Sequence, residues 1–169
     1  AGNDTVKLDQ IALDGGTTIA GGSGTDTIEI EANTGGGAVT LAGTVTGFET
    51  IQFATAGAAG TYNMVTVDAN VASGETLTVN GSNLTGTLLF NGSAETNGTF
   101  ALTGGAGADT LTGGAKADII VGGAGADVIT GGLLADTLTG NSGADIFAFT
   151  AVAQSNATNT DSITDFTSA

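Results

Sequence analysis

Residues 104–148 read GGAGADTLT GGAKADIIV GGAGADVIT GGLLADTLT GNSGADIFA, which is five nine-residue repeats that follow one another without a gap. Two positions of the repeat keep their residue type throughout. The sixth position is always an aspartate, namely Asp109, Asp118, Asp127, Asp136 and Asp145. The eighth position is always a large apolar residue, namely Leu111, Ile120, Ile129, Leu138 and Phe147. A period this strict indicates a stacked repeat architecture.

Each repeat combines a turn with a short strand. Glycines in the first six residues permit a tight turn and a close approach of the backbone to a ligand. The last three residues alternate in the manner of a strand with one buried face. Two repeats complete a coil, so residues 110–112 are predicted to stack on 128–130, and 119–121 on 137–139. The predicted fold is an all-β parallel solenoid, or β-roll, with the apolar column as its core.

The predicted stacking places carboxylates side by side. Asp109, Asp127 and Asp145 fall on one edge and Asp118 and Asp136 on the other, roughly 4.8 Å from one coil to the next. Like charges so close repel unless a cation lies between them. Two carboxylates and several turn carbonyls offer six or more hard oxygens, which suits Ca²⁺ better than Mg²⁺ or Zn²⁺. Turn formation alone would not require five aspartates in one register, so we expect several calcium ions along both edges.

The repeat resembles G-G-x-G-x-D-x-U-x, the calcium-binding nonapeptide of RTX (repeats-in-toxin) proteins. This resemblance implies a β-roll whose turns bind Ca²⁺ through the aspartates and the turn glycines. The glycines that it points to are Gly105, Gly107, Gly114, Gly123, Gly125, Gly132 and Gly143.

Two repeats depart from the RTX pattern at the fourth position, which is usually Gly or Asn. They have Lys116 and Leu134, both on the edge of Asp118 and Asp136. A side chain makes a positive-φ turn harder, and the Lys116 ammonium could partly replace or repel an ion. We therefore expect this edge to bind calcium more weakly, or not at all.

Residues 1–30 are predicted to form a first RTX block. Residues 21–29, GGSGTDTIE, are a complete repeat with Gly22, Gly24 and Asp26, and Asp4 matches the sixth position of an earlier one. Asp4 and Asp26 are one coil and a short insertion apart, so a bridging calcium is expected there. Asp14 is a candidate ligand on the opposite turn, although a turn-forming aspartate before two glycines explains it equally well.

Residues 31–103 lose the aspartate period but keep a rhythm of strands, which predicts that the solenoid continues. Short β-prone runs separated by Gly, Asn and Ser turns lie at 39–41, 49–53, 64–67, 75–80, 87–91 and 99–103. Their spacing also suits a sandwich, but the run 99–103 leads directly into the repeats. The core is expected to contain Phe48, Ile51, Phe53, Phe90 and Phe100. Residues 47–51, GFETI, are similar to a module of RTX-containing surface-layer proteins of Gram-negative bacteria.

The chain is thus divided into RTX blocks at 1–30 and 104–148, a solenoid continuation at 31–103, and a terminal loop and cap at 149–169. Asp161 and Asp165 are candidates to close the last calcium site or to cap the solenoid, as their family counterparts suggest, or are solvated loop acids. Residues 1–7 fit a repeat without its leading glycines, so we interpret the chain as a fragment of a longer protein.

Composition restricts the partners. The chain has 169 residues, 30 of them Gly, with no Pro, Cys or His and a net charge of −15. Nucleic acids and anionic lipids are poor partners for such a charge, and divalent cations are good ones. No apolar run is long enough to insert into a membrane.

Motifs of catalysis are missing from the sequence. Without His or Cys there is no histidine-dependent triad, thiol nucleophile or H-E-x-x-H helix. No serine lies in G-x-S-x-G, and no phosphate-binding glycine motif is present. The carboxylate pairs lie on regular edges, with no cleft that would raise the pKa of one acid. The sequence therefore predicts that the chain is not an enzyme.

Three functions remain, and the favoured one is a structural scaffold. It would be a secreted calcium-binding fragment of a bacterial surface layer or extracellular filament, with folding and self-association into a sheet or filament driven by Ca²⁺. A cell-surface glycan is a further candidate partner. The alternatives are the C-terminal secretion and folding module of an RTX enzyme or toxin, or an RTX adhesin that binds through rows of threonine. The RTX resemblance implies type I secretion from a Gram-negative bacterium to the cell surface or beyond.

Overall fold

A computed structural model describes residues 2–9, 18–32, 38–54, 60–151 and 153–166 of the chain. These residues form short strands joined by turns and bends, and none of them belongs to a helix able to cross a membrane. The strands are β1 (Thr5–Asp9), β2 (Ile19–Ala20), β3 (Thr27–Ala32), β4 (Ala38–Thr40), β5 (Val45–Thr46), β6 (Thr50–Phe53), β7 (Thr61–Val65), β8 (Thr76–Asn80), β9 (Thr87–Asn91), β10 (Thr99–Thr103), β11 (Thr110–Thr112), β12 (Ile119–Ala124), β13 (Val128–Thr130), β14 (Thr137–Ser142), β15 (Ile146–Phe147) and β16 (Ser162–Ile163).

Two parallel sheets face each other along the molecule. The eight-stranded sheet has the order β1-β3-β6-β8-β10-β12-β14-β16, and the six-stranded sheet has the order β4-β7-β9-β11-β13-β15. From β6 onward the chain alternates between the two sheets, so each pair of strands is one coil of a solenoid. A small third sheet pairs β2 with β5. The prediction of an all-β parallel β-roll or solenoid is confirmed.

Register within the repeats agrees with the eighteen-residue coil. Leu111 of β11 pairs with Ile129 of β13, and Ile120 of β12 pairs with Leu138 of β14. All four of these side chains are fully buried between the sheets. Strands β12 and β14 run three residues longer than predicted, because residues 123 and 124 continue the ladder with residues 141 and 142.

The core continues through the middle of the chain. Phe48, Ile51, Phe53, Phe90 and Phe100 are all buried, as predicted. The Phe90 and Phe100 rings pack edge to face with centroids 5.3 Å apart, a favourable aromatic geometry. The two sheets therefore share one apolar interior from the first blocks into the repeats.

The strand predicted at 64–67 lies at Thr61–Val65 instead. Tyr62 and Met64 alternate into the core, which fixes the face of the strand. The strand ends there because the Asn70 side chain accepts the backbone N–H of Val67 at 2.7 Å and closes a turn.

Residues 149–169 were predicted to be a loop and cap, yet Ser162 and Ile163 form β16 at the edge of the long sheet. The backbone N–H groups of Ser162 and Thr164 donate to the carbonyls of Asp136 and Leu138 at 2.8 and 2.9 Å. One half-buried apolar residue, Ile163, was too weak a signal to predict a strand. The division of the chain at residues 30, 103 and 148 stays a prediction.

Candidate metal centre

Acidic residues line two edges of the solenoid. We call the turns that lead into the eight-stranded sheet the long-sheet edge, and those that lead into the six-stranded sheet the short-sheet edge. On the long-sheet edge an acid precedes every strand: Asp4, Asp26, Glu49, Asp68 and Glu75 in one turn, Glu95, Asp118, Asp136 and Asp161. On the short-sheet edge the acids are Asp109, Asp127 and Asp145.

A hydrogen bond links most acids of an edge to the next coil. In six pairs one carboxylate oxygen accepts the backbone N–H of the acidic residue one coil earlier, whereas Oδ1 of Asp109 and of Asp118 accepts the N–H of Leu88 and of Phe100, each at 2.7 Å. The pairs, with their donor–acceptor distances, are Asp4 to Asp26 (2.7 Å), Asp26 to Glu49 (2.7 Å), Asp109 to Asp127 (2.8 Å), Asp127 to Asp145 (3.0 Å), Asp118 to Asp136 (2.7 Å) and Asp136 to Asp161 (2.8 Å). The repeat therefore brings together the aspartates that the sequence predicted to pair.

The second carboxylate oxygen has no such partner in several of these residues. The Oδ2 atoms of Asp26, Asp127, Asp136 and Asp161 are buried without a hydrogen bond to any described residue. Leaving a charged oxygen buried and unpaired is costly. These oxygens therefore fit a cation held between successive coils.

Burial also perturbs the acidity of these residues. It raises the pKa of Asp118 and Asp127 to about 6 and that of Asp136 to about 7, and neighbouring carboxylates add to the rise. The pKa of Asp109 is raised by burial as well. The charged form is disfavoured in this arrangement, which a divalent cation would reverse.

Glycine at the first position of each repeat makes room for the carboxylate. At Gly113 an added Cβ would lie 2.3 Å from Oδ2 of Asp118 and 2.2 Å from the carbonyl oxygen of Gly131, so no larger residue fits. The equivalent glycines with the same contact to their own aspartate are Gly104, Gly122, Gly131 and Gly140. A carboxylate oxygen and, at several of these turns, a carbonyl of the next coil thus converge on one small space lined by hard oxygens, as Ca²⁺ requires.

The family model of the RTX calcium-binding nonapeptide repeat, in four copies, matches residues 103–138 and 135–149. These residues are RTX calcium-binding nonapeptide repeats. Such repeats bind Ca²⁺ and typically occur in secreted proteins of Gram-negative bacteria. No curated protein and no solved structure matches the chain.

The RTX aspartates form pairs rather than larger clusters. No group of three or more acidic side chains is placed to hold one ion within the described ranges. Calcium ligands in the RTX repeats would therefore be one or two carboxylates together with backbone carbonyls of the turns, which is a usual oxygen set for this ion.

Turn glycines act in two different ways. A left-handed φ is found at Gly22, Gly24, Gly123, Gly125, Gly132 and Gly143, as the turn prediction requires. Gly105, Gly107 and Gly114 have no such φ, and their role in calcium binding stays a prediction. They are glycines because the previous coil lies too close: at Gly107 a Cβ would be 2.3 Å from the carbonyl oxygen of Gly86.

Lys116 and Leu134 differ in their effect on the long-sheet edge. Leu134 has a φ of 69°, the strained conformation expected of a side chain at the fourth position, whereas Lys116 does not. None of the ion pairs among the described residues involves Lys116. Asp118 and Asp136 are nevertheless buried and linked like the aspartates of the other edge. Weaker calcium binding at this edge stays a prediction.

Acids lie at both ends of the long-sheet edge. At the first end the backbone N–H of Asp4 donates to Oδ1 of Asp26, and the candidate ligand Asp14 lies outside the described residues. At the other end Asp161 continues the column of Asp118 and Asp136, whereas Asp165 accepts the backbone N–H groups of Gly140 and Asn141. Asp165 and Asp145 line a shared cleft of about 190 Å³.

Sequence reasoning missed two sets of site residues. The first-position glycines could have been found, because all five RTX repeats begin with Gly while the second position varies. Glu49 was missed because it follows no glycine-rich turn of the RTX type. Only the register of β3 against β6 places it beside Asp26.

Proposed function

We propose that the chain is a calcium-folded structural element of a secreted bacterial surface layer or extracellular filament. The observation that carries this proposal is that every described long-sheet turn from Asp26 to Asp161 contains an acid, and that the acids before Asp118 lie outside the residues matched by the RTX family model. The acids of this edge include two hydrogen-bonded series, Asp4–Asp26–Glu49 and Asp118–Asp136–Asp161, which are separate because Phe100 precedes Asp118 in register. Calcium would then stabilise the solenoid along its length, which suits a load-bearing part.

Folding in this proposal is coupled to calcium concentration. With a net charge of −15 and buried carboxylates, the chain is loose where free calcium is scarce, and therefore exportable. Extracellular modules bind Ca²⁺ with Kd values on the order of 10⁻⁴–10⁻³ M. Binding there favours only the coiled state, so secretion and folding are separated in space.

The chain is further proposed to have no catalytic role. The perturbed carboxylates belong to regular edges, each linked to the next coil by a backbone hydrogen bond. This arrangement gives no pair of acids with opposed roles of the kind that typical glycoside hydrolases use.

Assembly is the test of the scaffold. The purified chain is followed by light scattering and negative-stain microscopy in calcium-free buffer, in 10 mM CaCl₂ and in 10 mM MgCl₂. Sheets or filaments that form only with calcium support the scaffold. A folded monomer at every calcium concentration contradicts it and favours the module of a type I secreted RTX enzyme or toxin, since one fold serves many functions.

A specific observation favours an adhesin as the second candidate. Thr5, Thr27, Thr50 and Thr78 lie in register on four neighbouring strands of the long sheet. On the same sheet the hydroxyls of Thr76 and Thr99 are 2.6 Å apart. Such a row is able to bind a repetitive polar ligand such as a cell-surface glycan. Binding of the calcium-loaded chain to a glycan array, abolished by Thr50→Val, would favour this function.

A further inference from the structure

A buried acid outside the RTX repeats has a free oxygen. Glu95 lies in the turn between β9 and β10, before the region that the RTX family model matches. Its side chain is fully buried, at 0% exposure, and Oε2 has no hydrogen-bond partner in the described part of the chain. An unpaired buried carboxylate oxygen needs a cation or a proton.

The Glu95 carboxylate is held in a fixed position. Its Oε1 accepts the backbone N–H groups of Asn97 at 3.0 Å and Gly98 at 2.8 Å. Its backbone carbonyl accepts the N–H of Ala115 in the first long-sheet turn of the RTX repeats at 2.9 Å. The orientation of Oε2 is therefore set before any ligand arrives.

Two further oxygen donors lie around Glu95. Asn97 Oδ1 is buried and also has no partner among the described residues. Asp68, one coil earlier, is anchored by Thr96, whose backbone N–H and hydroxyl donate to its Oδ1 at 2.7 and 2.6 Å. The Asn97 amide nitrogen also donates to this Oδ1 at 3.3 Å. The Asp68 carboxyl therefore lies against the turn of the next coil that holds Glu95 and Asn97.

The chemistry of these donors selects the ligand. Two carboxylates and an amide oxygen, with no nitrogen or sulfur donor, suit a hard divalent cation such as Ca²⁺. Asp68 is exposed to solvent, whereas Glu95 is buried. Asp118 lies close enough to Glu95 for their charges to interact, which adds to the local negative potential.

We propose that Asp68, Glu95 and Asn97 bind one further Ca²⁺ ion in the turns that precede the RTX repeats. This ion joins the coil of β7 and β8 to that of β9 and β10. The backbone carbonyl of Glu95 accepts a hydrogen bond from the N–H of Ala115. An ion that fixes Glu95 therefore also orders the turn of Ala115, which is the first long-sheet turn of the RTX repeats. The inference does not depend on assembly into a scaffold.

Calcium counting by native mass spectrometry tests the site, using the whole chain in a volatile buffer with millimolar calcium. Glu95→Gln and Asp68→Asn each remove one charge with little change of shape. Each variant is expected to bind one ion fewer than the original chain. The double variant is also expected to lose one ion rather than two, because both side chains share it. Glu75→Gln, an exposed acid in the same turn as Asp68, is the matched control and keeps the full count.

An unchanged count in both Glu95→Gln and Asp68→Asn overturns the site. If Glu95→Gln does not fold, Asp68→Asn decides, since Asp68 is on the surface. If the variants lose one ion and still assemble, the calcium site exists and assembly does not require it. If the original chain binds this ion but does not assemble, the site stands and the scaffold proposal is contradicted.

Discussion

The backbone N–H of Asp118 donates to Oδ1 of Asp136 at 2.7 Å, across one coil of the solenoid. Oδ2 of the same Asp136 is buried without a partner in the described residues. One side chain therefore has two separate tasks. Its first oxygen joins neighbouring coils directly, and its second is available to a cation. Replacing Asp136 with asparagine separates these tasks, because the amide oxygen still accepts a hydrogen bond whereas the uncharged side chain binds a cation less well.

Asp136→Asn is expected to stabilise the chain much less with calcium than without it. In calcium-free buffer at pH 8 it stabilises the coiled state by on the order of 2–4 kcal/mol, because burial raises the pKa of Asp136 to about 7 and the amide carries no charge. In 10 mM calcium the loss of one ion offsets roughly 1.4–2.7 kcal/mol of this gain. Urea unfolding in the two buffers measures the difference.

The matched control for that substitution is Glu75→Gln, which removes an exposed acid from the same edge. It is expected to change stability by less than about 0.5 kcal/mol in either buffer. Equal effects of Asp136→Asn with and without calcium would exclude an ion at this carboxylate.

Without calcium, stability is expected to fall as the pH rises. The folded pKa values of about 6 for Asp118 and Asp127 and about 7 for Asp136 lie above the ordinary aspartate value. The folded chain therefore holds more protons than the unfolded chain between about pH 4 and 7, and its stability decreases across that window. Calcium binding should strengthen over the same window, since protons compete with the ion. Thermal unfolding at pH 5 and pH 8, with and without calcium, checks both trends. A calcium-free chain that is more stable at pH 8 than at pH 5 would refute the expected fall of stability with rising pH.

Gly113→Ala is expected to destabilise the calcium-loaded chain by about 1–3 kcal/mol. The new Cβ would lie 2.3 Å from Oδ2 of Asp118 and 2.2 Å from the Gly131 carbonyl oxygen, so the carboxylate or the next coil must shift. Calcium affinity should fall as well. In the control Gly43→Ala, the nearest atom to the new Cβ is 3.6 Å away, and little change is expected. Equal melting temperatures for the two variants would contradict a tight first-position turn.

Leu134→Gly is expected to stabilise the chain by roughly 0.5–1 kcal/mol. Leu134 has a φ of 69°, a strained conformation for a residue with a Cβ, and it is 37% exposed, so little packing is lost. Lys116 occupies the same position of its repeat but has no positive φ, so Lys116→Gly is not expected to give this gain in stability. Calcium titrations of both variants also test whether the side chains at this position weaken the long-sheet edge. A destabilised Leu134→Gly would show that the leucine contributes packing instead.

The fold of the repeats could be predicted from the sequence because one nine-residue period fixes turn, strand and burial together. Ile120 and Ile129 are buried where the period places them. Strand ends elsewhere depend on single turns or strand pairings. The Asn70 side chain ends β7, and the pairing of Ser162 with β14 creates β16, and neither contact has a periodic signal.

The candidate site was only partly visible in the sequence for a related reason. The RTX aspartates recur at a fixed spacing, so their pairing could be read directly. Glu49 and Glu95 join the long-sheet edge through strand register and turn geometry after insertions of different length. Acids placed in this way resemble ordinary loop acids until the coils are stacked.

Calcium-driven folding is tested most directly by far-UV circular dichroism of the chain during a calcium titration from calcium-free buffer to 10 mM, with MgCl₂ as the control. We expect a cooperative rise of β signal with a midpoint on the order of 10⁻⁴–10⁻³ M, and no such rise with magnesium. A β signal that is already complete without calcium, and unchanged by its addition, would contradict calcium-driven folding.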